Sequence, residues 1–546
     1  MKKIILYLLS LIICVSCFSG CFSKDNKGND DGNVSLRFFI NGGGTFEGKE
    51  KDSIWKKIEE KTGTTLKIYG ANHDSDYYTV LNPKINTGDF PDLFFCVPNN
   101  MSGTYQDWAD QKKGVLYNID TLLQQKPGEY PYIERILKSE QYKNIMFDNA
   151  HTLIPEFASN NSWGIYYRSD WLIKVGYVNP DGTAKTPTTM DEFQEVLKLF
   201  TENDPDGNGQ NDTWGISPYS EAVGWNPLYH AFGVKPDYDI YNGEVKHMFT
   251  TEEFKNFLTW AHKMYKDGYI YPQFNTNTTS QSRDHFVDGK VGVLITNAEQ
   301  HVTWIMNPFE GKNGIGKVIF GVPPMGTETV GKKGCQGFSD WGAWWGGFSI
   351  PLVCKDPHAV LRVLNYLYSP EGNMLRTYGI EGVHYTVGEN GEITLNVDAR
   401  SEEPDNSFMM SADEKGRQKP LGNYRLGAAF GAMIDWSTFD TDGRIRVKTD
   451  SKMLDLQYYE LIDEAISKNI SVPSSLGNVT AWSSSIKNQT AKIEETAKSF
   501  INNAILGSKN LTDDWAQMLA LCDVHGYKEV KASMLETVQN LGLGNV

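Results

Sequence analysis

The sequence predicts an α/β protein built as two lobes. Three observations lead there. The 546 residues exceed what a single hydrophobic core organises, at roughly 100–200 residues per domain. A strand-like run at 34–40, a helix at 53–62 with Ile54, Trp55 and Ile58 on one face, and a strand at 65–69 follow in β-α-β order, which implies a parallel sheet with a helical crossover. With 40% hydrophobic and 12% aromatic residues, the chain can fill more than one core.

Taken in order, residues 1–20 read as a cleaved signal, with Lys2 and Lys3 before an apolar run at 4–15 that is too short to span a bilayer. Phe18-Ser19-Gly20-Cys21 resembles a bacterial lipobox, with Phe18 where Leu is usual. It implies diacylation at Cys21, and two acyl chains are what stable membrane anchoring needs. The polar stretch 21–33 reads as a flexible tether. Residues 34–155 are expected to begin lobe 1, including a helix at 77–87 and a buried strand at 92–97 that stops at Pro98-Asn99-Asn100. Residues 156–317 are expected to begin lobe 2. There Gly164-Ile165-Tyr166-Tyr167 forms a strand, Arg168, Ser169 and Asp170 lie at its end, and Trp171 opens a helix. A second helix starts from Thr189 and Glu192 at capping-box spacing, with Phe193, Val196, Leu197 and Phe200 on its core face. Helix 254–266 carries His262 among apolar positions, which reads as packing. Strand 291–296 ends in polar Asn297, well placed at a strand end for a ligand. Residues 318–395 are expected to return to lobe 1, and 396–546 to be mostly helical, serving lobe 2 and the hinge.

Four motifs beyond the lipobox carry a family resemblance: GDFPDLF at 88–94, YYRSDWLIKVG with PTTMDEF between 166 and 193, DPDGNGQND at 204–212, and GIEGVHYTV at 379–387. In this order they resemble the extracellular solute-binding lipoproteins of carbohydrate ABC importers, family 1, large subgroup. That resemblance implies a type II-like periplasmic-binding-protein fold with an interlobe cleft, a helical C-terminal region, an oligosaccharide ligand, an ABC permease as partner and a monomeric state. It also makes Asn99 a ligand candidate, because the loop after that strand borders the cleft in the family. Glu381 and His384 match a segment at the lobe boundary, where ligand contact and a hinge-locking turn are both open readings.

The acidic loop places Asp204, Asp206, Asn208 and Asp212 at near-alternate positions, with Gln210 offering a backbone carbonyl and Gly207 and Gly209 allowing sharp turns. Such spacing suits Ca²⁺. An EF-hand would place Glu at the twelfth position, where Gly215 stands. The resemblance implies a structural calcium site, but Thr213 occupies the place of its closing acid. The second constellation is aromatic. A sugar presents an apolar face fringed by hydroxyls, so indole platforms beside polar groups suit it. Trp163, Trp225, Trp341 and Trp345 are the candidates, and Trp344 and Trp345, being consecutive, would point to opposite faces of a strand. Arg168 can fork onto hydroxyls or a carboxylate, while Asp170 can accept hydroxyl protons or cap the following helix.

A formal charge of −16 argues against nucleic acid or an anionic membrane surface as a partner, so membrane contact is expected through the lipid alone. Cys96, Cys335, Cys354 and Cys522 are too scattered for a disulfide framework. No HExxH, GxSxG, Walker or GxGxxG pattern occurs, so a binding protein is expected rather than an enzyme. The rival readings are a lipid-anchored carbohydrate hydrolase or lyase, and a receptor for a peptide or an acidic sugar.

Overall fold

A computed structural model describes residues 33–540, apart from 72–76, 102–103, 140–141, 144, 158–162, 220–221, 298–316, 341–343, 390, 405–406, 413–416, 432, 440–445, 448–466, 469, 474–475 and 477–483. Signal, Cys21 and nearly all of the tether therefore lie outside the described residues, as do Trp341, Trp304 and Trp482.

The first sheet begins with β1 (Val34–Phe39), crosses over through helix Ser53–Thr62 to β2 (Thr64–Tyr69), and reaches β3 (Leu93–Cys96) after helix Tyr77–Asn86. Asp52 caps the first of these helices, accepting from the Trp55 amide at 2.7 Å, and Gly63 ends it in the left-handed conformation. β4 (Ile154–Phe157) completes the chain's first pass through this lobe. The second sheet contains β5 (Trp163–Arg168) and β6 (Trp214–Ile216). A peripheral hairpin, β7 (Tyr238–Tyr241) and β8 (Glu244–His247), precedes β9 (Val291–Asn297) and β10 (Val318–Gly321). β11 (Phe338–Asp340) pairs in parallel with Ser471–Pro473, and β12 (Trp344–Ser349) returns to the first sheet.

The strand orders are β2-β1-β3-β12-β4 and β10-β5-β9-β6. Each sheet has its own buried core. One gathers Phe38, Phe94, Ile133, Phe348 and Leu364, and the other Ile165, Phe193, Phe257, Val293 and Phe500. Two lobes are therefore present, each with a sheet covered by helices.

Two expected boundaries move. Residues 318–321 do not return to lobe 1: β10 is antiparallel to β5 in the second sheet, where the Phe320 ring lies 4.3 Å from that of Tyr166. Nor is 396–546 wholly lobe 2 and hinge, because Phe408, Tyr424, Leu426, Phe430, Ile434 and Trp436 pack into the first core. Among the described residues, Leu476 and the helices from Ser484 onward join the second. At helix Met190–Glu202, Thr189 caps as expected, but Glu192 reaches back to the Thr188 amide and hydroxyl, both at 2.8 Å, instead of to Thr189 itself. His262 packs and bonds the Ile505 carbonyl at 2.9 Å. The four cysteines after Cys21 are free. Among the described residues no helix is long and apolar enough to cross a membrane.

Candidate functional site

The chain passes from the first sheet to the second between β4 and β5, and back between β11 and β12, so the strand ends flanking those passages mark where the lobes meet. On the second sheet, β5 runs antiparallel to β9, and Trp163 is registered opposite Asn297. The start of one strand and the end of the other thus share the edge next to the crossing. On the first sheet, β12 is antiparallel to β3 with Gly347 opposite Cys96. Counting on from that pair brings Trp345 level with the short helical turn Pro98–Met101 that carries Asn99. Between Trp344, opposite Phe157, and Gly346, opposite Glu156, the register slips, so Trp345 is the extra residue of a β-bulge. A bulge bends the strand locally and leaves its extra residue out of the ladder.

Topology therefore gathers the backbones of Asn99 and Trp345 at one edge and of Trp163 and Asn297 at the other. Side chains of Asn99, Trp345 and Asn297 lie outside the described set, whereas Trp163 is half-buried against the second core. Asn41 was missed by sequence reasoning. It follows β1, which is parallel to β3, so it sits on the same edge as Asn99, and its shielded Oδ1 has no partner among the described residues. The available signal was an Asn ending a strand before three glycines. Of these, Gly43 is required by close approach, since a Cβ there would lie 2.2 Å from the Tyr69 carbonyl oxygen.

Four candidates are placed elsewhere or fully engaged. Arg168 and Asp170 sit at the far end of β5, about 17 Å from Trp163 at ~3.3 Å per residue. Arg168 donates from Nε and a terminal nitrogen to the two Asp170 oxygens at 2.8 and 2.7 Å, and its guanidinium lies 4.9 Å from the Trp171 ring centroid. β5 is antiparallel to both its neighbours, so its C-terminal end points away from the crossing. Trp225 is 1% exposed and wedged edge-on between Phe257 and Phe274, which makes it core. His384 is fully buried, its Nδ1 accepting from the Ile380 amide at 2.9 Å and its Nε2 bonded to Glu403 at 3.1 Å. Burial pushes its pKa down against the opposing pull of Glu403. Both ring nitrogens are thus occupied within the turn and by Glu403, as a locking role for the turn requires. Glu381 is exposed on that turn and bridges to Tyr385.

In the acidic loop, Asp204 turns inward and accepts the amides of Gly207, Asn208 and Gly209 at 3.0–3.1 Å. The Asn208 side-chain amide donates to Asp206 at 2.8 Å and to Asp212 at 3.1 Å, and the Gln210 amide donates to Asn208 Oδ1 at 2.7 Å. Partial burial and the neighbouring Asp212 and Asp204 charges raise the Asp206 pKa. Converging hard oxygens in mutual repulsion are a donor set a divalent cation would neutralise. Thr213 is buried and donates to the Phe200 carbonyl at 2.8 Å, so it contributes to the helix end and not to the loop. Among the described residues no group of three or more His, Cys, Asp or Glu side chains is arranged as a ready-made metal centre.

Against known proteins, residues 47–374, more than half of the chain, match the family described as bacterial extracellular solute-binding protein. The chain belongs to this family. Among relatives, it is 27% identical over 361 residues to the lipoprotein LipO of Bacillus subtilis, covering 62% of this chain and 64% of that one. It is also 27% identical over 356 residues to the polygalacturonan/rhamnogalacturonan-binding protein YtcQ of the same organism, covering 63% and 66%. The matched region thus spans just under two thirds of these relatives. Among solved structures, an HMO binding ABC-transporter associated solute-binding protein from Bifidobacterium longum infantis superposes with a TM-score of 0.65 at 17% identity, over 93% of this chain and 98% of that one. That likeness establishes the two-lobed solute-binding fold.

Proposed function

We propose that this solute-binding protein is the receptor of an ABC importer, that it closes over an oligosaccharide between its lobes, and that it is held at the outer face of the membrane by lipid on Cys21. The observation that carries the reading is the pairing of strand ends at the lobe boundary. The backbones of Trp163 and Asn297 on one sheet, and of Trp345 and the Asn99 turn on the other, lie at this boundary, and indole and amide are residue chemistries that suit a sugar's faces and hydroxyls. A ligand touching both edges stabilises the closed form, which a permease can then distinguish from the open one. Family membership supports a role in binding without catalysis. The relative named for polygalacturonan and rhamnogalacturonan binding and the neighbour named for HMO binding support a carbohydrate, and the first adds acidic pectic chains to the classes worth testing.

Calcium belongs to the same proposal as a structural ion. Asp204, Asp206, Asn208, Asp212 and the Gln210 carbonyl would hold it and pin the loop after helix Met190–Glu202.

The test is a thermal-shift panel on the full-length protein with pectic, fructan and human-milk oligosaccharides, followed by product analysis. A ligand at a hundred times its Kd adds about 2.7 kcal/mol of stability, which gives a readable rise in Tm. The Trp163→Ala variant is expected to lose at least about tenfold in affinity, or about 1.4 kcal/mol. New reducing ends or unsaturated products would replace the receptor reading with that of an enzyme.

A further inference from the structure

Away from the lobe boundary, the first lobe carries a cavity of about 490 Å³ lined only by residues between Arg37 and Lys84, straddling edge strand β2. Its apolar wall is aromatic: Phe46 meets Trp55 edge-on at 6.3 Å, and Tyr69 stands at the other end. Its rim is cationic, although the chain as a whole carries −16. Arg37, Lys49, Lys51, Lys67 and Lys84 all line it, with Glu47 as the one acid among the lining residues. Three of these cations are already committed. Arg37 pairs with Asp89 at 2.7 Å and donates to the Tyr69 hydroxyl at 3.0 Å, Lys84 lies 3.6 Å from Asp89, and Lys51 bonds Glu59. Lys49 and Lys67 are exposed and enter no ion pair among the described residues.

A second observation bears on this cavity. Trp55, which lines it and a smaller neighbouring cavity, is 4% exposed, yet its indole Nε1–H has no acceptor among the described residues. A buried donor left unpaired costs about 1–3 kcal/mol, and a ligand oxygen in the cavity would recover it. Lysines on an edge strand deter strand addition, but that role requires neither an aromatic wall nor a buried indole donor.

We propose that this cavity is a second site, separate from the lobe boundary, for a monosaccharide bearing a carboxylate or phosphate. The aromatic wall takes the apolar ring face, Lys49 and Lys67 take the anion, and the Trp55 N–H donates to a ring or acid oxygen. The volume lies within the range of small-ligand pockets, which run from about 300 to 1,000 Å³. Two lysines free to meet one anion give binding that weakens with salt.

The test titrates glucuronic acid, glucose 6-phosphate and glucose into the full-length protein by calorimetry. It follows protection of Lys49 and Lys67 from acetylation by mass spectrometry. One or both acids are expected to bind and to protect both lysines, with glucose at least about tenfold weaker. Comparing the two acids separates carboxylate from phosphate. The double variant Lys49→Gln/Lys67→Gln is expected to lose about tenfold for the acid while leaving oligosaccharide binding at the lobe boundary intact. Trp55→Phe, which keeps the ring and removes the donor, is expected to weaken binding about fivefold. Equal affinity in wild type and double variant, equal binding of glucose, or no binding of either acid would overturn the assignment. The readout is independent of the oligosaccharide reading, because that ligand is scored separately by its own titration.

Discussion

Replacing Asp170 with Ala separates a structural role at the far end of β5 from a ligand role. The substitution removes two charge-assisted bonds, at 2.8 and 2.7 Å, from an Arg168 whose side chain is only 11% exposed. Bonds to charged groups contribute about 1.5–3 kcal/mol each, and breaking a fully buried pair costs about 3–5 kcal/mol. Asp170 is 35% exposed, so water can enter and partly solvate the guanidinium, which brings the expected loss to about 2 kcal/mol. That equals roughly a 30-fold drop in the local folding constant. The two lobes have separate cores and unfold as separate units, so the informative assay is hydrogen exchange on peptides covering 163–174, with 93–96 in the other lobe as control. Exchange in the first peptide should rise about 30-fold and in the control stay unchanged, while oligosaccharide affinity stays within about twofold. A tenfold loss of affinity with unchanged exchange would show Arg168 and Asp170 in the cleft and refute the topological reasoning.

Acid should weaken the second lobe above the range where its carboxylates titrate. Burial pushes His230 and His247 down to about 4 from an ordinary 6.5, so each stabilises the fold fully above pH 6.5 and loses that contribution as pH falls toward 4. Each group is worth about 3 kcal/mol when the loss is complete, and a Tm series from pH 7 to 4 should flatten in His230→Gln. Trp225→Ala should cost about 3–5 kcal/mol by opening a void between Phe257 and Phe274, with Trp225→Phe far milder, as urea titration of the second lobe would show. EDTA should lower Tm and added Ca²⁺ restore it, and Asp206→Asn should abolish the difference; an identical Tm with chelator and with calcium would remove the ion from the loop.

Local signals in the sequence were sufficient for most elements. Thr189 caps the helix its spacing announced, and the 3.6-residue apolar rows of 53–62, 190–202 and 252–266 all face a core. Partners distant in sequence were not legible. The direction of β5 depends on pairing with β9, more than a hundred residues later, and that direction decides whether Arg168 or Trp163 faces the lobe boundary. Trp225 resembles a sugar platform in sequence, and only its packing against Phe257 and Phe274 identifies it as core. The anionic-sugar cavity combines residues from β1, β2 and two helices, none of which forms a motif. His384 has a meaning only through Glu403 and, beyond it, Ser53.

That last chain of contacts determines which lobe carries 380–439. Glu403 accepts from the Ser53 amide at 3.0 Å and from the Ser53 hydroxyl as well as from His384, and the Tyr424 hydroxyl donates to Asp52 at 2.9 Å. Burial alone would raise Glu403, but its Ser53 and His384 partners hold it below the ordinary carboxylate value. The N-terminus of helix Ser53–Thr62 is thereby tied to a segment 350 positions away. From the other side, Arg376 bonds the carbonyls of Leu367, Gly427 and Gly431, and Gly431 packs so closely on Glu156 and Phe157 that a Cβ there would lie 2.7 Å from the Phe157 carbonyl oxygen. Segment 380–439 is thus locked to the first sheet both at a helix start and at the end of β4. When the lobes close, it must travel with lobe 1 as one body, and the Glu381 turn moves with that lobe whatever the ligand.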